Sequence, residues 1–104
     1  MVNSAEEAAA AVAATRYPPE GVRGVGSALA RAARWNRVDS YLARSNAEHV
    51  SLICQIETSA AVESAEEIAA VEGVDAVFIG PSDLAASMGL IGQQSHPEDL
   101  AAAR

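Results

Sequence analysis

Two carboxylates draw attention through the runs that carry them. Glu57 stands next to last in SLICQIET, residues 51–58, and Asp83 closes GPSD, residues 80–83. Each follows an apolar, β-prone run, and they lie 26 positions apart, about one strand–helix repeat. Neighbouring parallel strands sit ~4.8 Å apart and put their carboxyl ends on the same rim. The spacing therefore predicts that Glu57 and Asp83 converge. Two convergent carboxylates repel unless a shared proton or a divalent cation offsets the charge. Magnesium-type sites use one or two carboxylates and leave other positions to water and substrate. Gln55 and the hydroxyl or backbone N–H of Ser82 stand where a substrate carboxylate or a metal-bound water would be held. A second reading stays open at this point: an acid after a strand is also a common helix N-cap, and both acids precede a predicted helix.

The elements that must position these groups are legible in outline. Asn3 or Ser4 caps a predicted helix running to about Thr15, with Glu6 and Glu7 in its first turn. YPPEG, residues 17–21, stops it, and a glycine-rich loop, residues 21–28, follows. Residues 27–35 read as a short helix or ordered loop, and Asp39 is the expected cap of a helix over SYLARSNA. Residues 51–58 read as a strand covered on both faces. Thr58 or Ser59 starts a helix to about Glu72, with Val62, Ala65, Ile68 and Ala69 on one face, and Gly73 ends it. Residues 74–80 form a second strand. A short helix over DLAASMG, a polar loop and a helix opening at His96-Pro97 complete the chain. Strand–helix–strand is a parallel crossover. Two parallel strands do not make an independent sheet, so Met1-Val2 reads as the tail of a preceding strand and the chain as part of a larger α/β domain. A doubly wound sheet and a (β/α)8 barrel both fit this pattern.

Composition narrows the chemistry. The chain has 104 residues and a net charge of −7, which disfavours nucleic acid and anionic membrane partners. No apolar run is long enough to span a membrane, and the first residues carry acids where an export signal carries basic groups, so the expected setting is cytoplasmic. Cys54 is the one cysteine and is expected in the core. All seven basic residues are arginine, so no lysine Schiff base or phosphate-loop lysine exists in this chain. Gly21, Gly24 and Gly26 beside Arg16 and Arg23 do not match a phosphate loop, and the expected role of that loop is to shape a rim or meet a neighbouring subunit. His49 and His96 read as loop or capping residues, and Trp35 as a packing anchor.

TRYPPEGVRGVGSALARAARWNRVDSYL, QIET, VEGVDAVFIGPSDLAASMG and the HPE at residues 96–98 together resemble the HpcH/HpaI class II pyruvate aldolases. The resemblance runs through nearly all of residues 1–104. It implies the middle of a (β/α)8 barrel, about strands five and six with their flanking helices. It also implies roles: Glu57 and Asp83 as ligands of Mg²⁺, Mn²⁺ or Co²⁺, and Gln55 and the Ser82 N–H placing pyruvate. The implied reaction is metal-dependent aldol cleavage or condensation of 4-hydroxy-2-oxo acids, giving pyruvate and an aldehyde, in a homo-oligomer. The family's catalytic arginine and histidine–acid pair have no counterpart in this chain and lie upstream of the matching segment. The chain by itself is therefore expected to be inactive. A truncated, non-catalytic gene product and a citrate-lyase-β-like acyl-CoA lyase are the alternatives.

Overall fold

The computed structural model describes all residues, Met1–Arg104. The elements in order are α1 (Ala5–Thr15), a 3-10 turn (Arg31–Ala33), α2 (Tyr41–Arg44) continued by one π turn (Ser45–His49), β1 (Ile53–Ile56), α3 (Ser59–Glu63), α4 (Ala65–Ala69), β2 (Ala76–Ile79), α5 (Pro81–Ser87) and α6 (Pro97–Ala102). They form two compact units, one of Met1–Ala9 with Leu52–Arg104 and one of Ala10–Ser51. The units differ sharply in charge. The first holds eleven of the fourteen acids and one arginine; the second holds six arginines and three acids.

In the first unit β1 and β2 pair in parallel, with Ile53 opposite Ala76 and Ile56 opposite Ile79. Val2 donates its N–H to the Gln55 carbonyl at 3.1 Å, so backbone pairs with β1 on the edge away from β2, as the sequence predicts for a preceding strand tail. Strand alternation sorts the side chains. Cys54 and Ile56 are buried, together with Ile68 and Leu84 from the helices. Ile53 and Phe78 lie on the opposite face and are 61% and 57% exposed. The expectation of a strand covered on both faces thus holds for one face of β1 only.

Several boundaries differ from the sequence reading. The helix expected over 59–72 is two helices interrupted at Ser64, whose N–H bonds the Ala60 and Val62 carbonyls and tightens the turn. Its buried face runs through Ala61, Val62, Ala65 and Ile68, and Ala69 points outward. Gly73 ends this segment at φ 102°, which glycine adopts without strain. Ser4, as expected, caps α1 by accepting the Glu7 N–H at 3.2 Å. His96 caps α6, its Nδ1 accepting the Glu98 N–H at 3.3 Å.

In the second unit, Asp39 does not cap α2. Ser40 occupies the cap position in a left-handed conformation and makes no side-chain cap bond. The region 27–35 is an ordered loop around one 3-10 turn, because Arg34, Trp35 and Asn36 all take positive φ and end it. Tyr17, Ala33 and Tyr41 form the core of this unit, with Val38 against them. The Asn46 side-chain amide secures the loop by pairing with both backbone groups of Tyr17, at 2.8 and 3.1 Å.

Candidate active site

The strand ends build the site from backbone outward. Beyond Ile79 the ladder continues for one more bond, Gly80 N–H to the Ile56 carbonyl at 2.9 Å. This sets Gly80 beside the end of β1, where Glu57 leaves the strand. Gly80 has φ −100° and ψ 89°, a conformation open to other residues, so space rather than backbone freedom requires glycine here. A Cβ on Gly80 would sit 2.6 Å from Glu57 Oε2, 2.9 Å from Gln55 Nε2 and 2.9 Å from Glu57 Cβ. The Gln55 amide and the Glu57 carboxylate therefore lie together across the bare face of Gly80. In the sequence this glycine reads only as a strand end, and its place between an apolar strand and Pro81 is the signal of a close approach.

Glu57 is 6% exposed and forms no ion pair; the chain's one salt bridge joins Arg44 and Glu48. A buried carboxylate without a cation is costly, and such groups are ordinarily paired or metal-bound. The helix-cap reading fails for both acids. Thr58 caps α3, accepting the Ala61 N–H at 3.1 Å, and its hydroxyl donates to Asn3 Oδ1 at 2.6 Å. Gly80 is the cap residue of α5, with Pro81 next, and Asp83 stands in the first turn without capping it. Asp83 is exposed, three residues beyond the glycine on which Glu57 rests. Ser82 is also exposed, and its Oγ accepts the Gln94 side-chain amide at 3.2 Å, which ties the polar loop to the start of α5.

The structure brings Glu57 and Gln55 together; with the exposed Asp83 and Ser82 at the start of α5, the singled-out side chains offer oxygen donors, two carboxylates, one amide and one hydroxyl. That composition suits a hard divalent cation better than a soft one. No group of three or more His, Cys, Asp or Glu side chains converges anywhere in the chain. The remaining chemistry-bearing residues stand apart. Cys54 is a free, buried core thiol, His96 is a cap, and His49 stacks flat on Tyr41 at 5.6 Å. Asp99, the other buried acid, stands in the first turn of α6 with its Oδ1 unpartnered. No helix is long and apolar enough to cross a membrane.

Comparison with known proteins bears on this geometry. The sequence pattern of the family described as HpcH/HpaI aldolase/citrate lyase matches residues 1–104. A 4-hydroxy-2-oxo-heptane-1,7-dioate aldolase of Escherichia coli is 57% identical over 102 residues, covering 98% of this chain and 38% of the relative. A crystal structure of an HpcH/HpaI aldolase/citrate lyase family protein from Burkholderia cenocepacia superposes with a TM-score of 0.89 at 41% identity, over 99% of this chain and 41% of that one. An HpcH/HpaI aldolase from Desulfitobacterium hafniense gives 0.77 at 35% identity, over 97% and 39%. The chain spans about two-fifths of the length of the proteins it matches.

Proposed function

We propose, for a chain that belongs to the HpcH/HpaI aldolase/citrate lyase family and carries a partial barrel fold of that family, that its strand ends form the metal- and pyruvate-binding part of a class II aldolase site. The observation that carries this reading is Glu57: buried, unpaired and laid beside Gln55 over a glycine that leaves it room. Glu57 and Asp83 would hold a divalent cation, Mg²⁺, Mn²⁺ or Co²⁺. With two carboxylates as the protein's share, water and substrate oxygens complete its shell. Bound there, the ion would act as a Lewis acid on the 2-oxo group of pyruvate.

The chain's own residues have the simpler tasks of binding and orienting. The Gln55 amide has donors for a substrate oxygen and sits within the same cradle as Glu57. Pro81 brings no N–H, and the N–H of Ser82 makes no backbone hydrogen bond within the chain, so it is open to a substrate carboxylate at the start of α5. Groups that move protons would come from other parts of the barrel. The substrates in this reading are 4-hydroxy-2-oxo acids such as 4-hydroxy-2-oxoheptanedioate, cleaved to pyruvate and an aldehyde in a homo-oligomer. Pyruvate release by the protein that carries this segment tests it. Release should stop with EDTA and return with Mn²⁺; release that EDTA leaves unchanged refutes the metal-dependent reading.

A further inference from the structure

We propose that Arg23 and its tyrosine cradle form a binding site for a small oxyanion, a carboxylate or a phosphate, in the cavity that the guanidinium shares with Thr15, His49 and Ser51. The site lies wholly within residues 10–51 and is independent of the aldolase reading. Arg23 is half-buried and has no carboxylate partner. Its guanidinium carbon lies 4.5 Å over the Tyr17 ring and 5.9 Å from the Tyr41 ring centre. Its terminal nitrogens donate to the Tyr41 hydroxyl at 3.2 Å and the Ser45 hydroxyl at 3.3 Å. Both acceptors are neutral, and an arginine carries five N–H donors. The charge is thus fixed in place, partly removed from water and not neutralised, with donors to spare.

Beside it is an open cavity of about 390 Å³ whose lining includes Thr15, Arg23, Tyr41, His49 and Ser51 and no acid. The spare N–H groups of Arg23 and the Ser51 hydroxyl, with no carboxylate in the lining, select an anion. The surrounding unit, with six arginines against three acids, reinforces that choice within a chain that is acidic overall. The Tyr17 and Tyr41 rings, packed edge to face, hold the guanidinium between them, so little side-chain entropy remains to be lost on binding. This is a different device from a phosphate loop: the glycines around Arg23 contribute only the path of the backbone. Gly21 admits no Cβ because the Ala13 and Arg16 carbonyls crowd it, whereas Gly24 and Gly26 face open space.

The test is equilibrium dialysis of the full chain against radiolabelled inorganic phosphate, at ionic strength held constant with NaCl. One saturable site per chain is expected. Arg23→Gln should weaken it roughly tenfold or more, since it removes a charge-assisted pair of donors. Arg37→Gln, on an arginine that lies over Trp35 and outside this cavity, should leave it unchanged. Competition with malonate then separates the sources: displacement of phosphate extends the site to carboxylates, and no displacement confines it to phosphate. If Arg23→Gln loses its helical circular dichroism, Ser51→Ala carries the test, weakening binding about threefold; the Thr15 hydroxyl donates to the Val12 carbonyl at 2.8 Å and is not a donor to the anion. Uptake that does not saturate, or saturable uptake unaffected by these cavity substitutions, overturns the proposal and leaves Arg23 as a loop tether.

Discussion

Each unit of this chain sets a partly or wholly buried charge beside a candidate site without a partner of opposite sign. In the acidic unit it is Glu57; in the basic unit it is Arg23. Their surroundings differ in kind. Glu57 rests against a glycine and forms no ion pair. Arg23 is held by one aromatic face, a second ring and two hydroxyls. On the proposed reading, Glu57, which the fold leaves without a cation, stands where it does for a ligand. A charge that the fold supports has a structural task as well, whatever else it binds. Substitutions that remove charge and keep shape separate these cases.

The largest effect is expected at the strand ends. Glu57→Ala or Asp83→Ala should lower pyruvate release by the protein that carries this segment on the order of 100-fold or more, because on the proposed reading each would remove one of two protein ligands to a charge-stabilising ion. Steady-state assays with excess Mn²⁺ check this, and full activity in either variant removes that residue from the site. Gly80→Ala comes next. The added methyl meets Glu57 and Gln55 inside contact distance, so overpacking should cost about 1–3 kcal/mol and weaken Mn²⁺ binding even where the fold survives. Thermal melts and Mn²⁺ titration read the two parts, and Gly24→Ala, where no atom stands near, is the control.

Arg23→Gln should be smaller in stability terms, about 0.5–2 kcal/mol destabilising, from the lost cation–π contact with Tyr17. A neutral result in urea unfolding would erase the contrast with Glu57. The hydrogen bond with Ser45 is the main cause that holds the Tyr41 hydroxyl below the ordinary phenol range; burial opposes it, and Arg23 adds to it by hydrogen bond and charge. A lowered pKa of this kind stabilises the fold at pH above the free phenol value, and the gain fades as pH falls through the folded value. The smallest effect belongs to the exposed Arg44–Glu48 pair. Arg44 holds Glu48 below its usual carboxylate range, so the contribution is present at neutral pH and fades as pH falls through that lowered value. Both groups are solvated, and Glu48→Gln should leave the melting temperature within error at pH 7.

The parts of this arrangement that depend on local pattern were readable in the sequence. The parallel crossover, the strand ends and the caps at Ser4, Thr58 and His96 all follow from apolar runs and cap residues, and all are present. The pairing of Val2 with Gln55 shows the same for the predicted strand tail. Spacing alone left Glu57 between a cap and a ligand. The neighbouring threonine takes the cap, which removes that alternative, and the glycine opposite leaves the carboxylate space. The failures lie where long-range packing overrides propensity. The break at Ser64 and the left-handed run at 34–36 have no signature in side-chain periodicity. The Arg23 cradle joins residues 17, 23, 41 and 45, and no short motif spans such a set.

The most direct test of the account compares Glu57→Gln with the unaltered chain in two titrations, urea unfolding without metal and Mn²⁺ binding followed by electron paramagnetic resonance. The account predicts that the neutral amide is at least as stable as the carboxylate, since it removes an unpaired buried charge, and that it no longer takes up Mn²⁺. Retained Mn²⁺ binding, or a clear loss of metal-free stability in the E57Q variant, would contradict it.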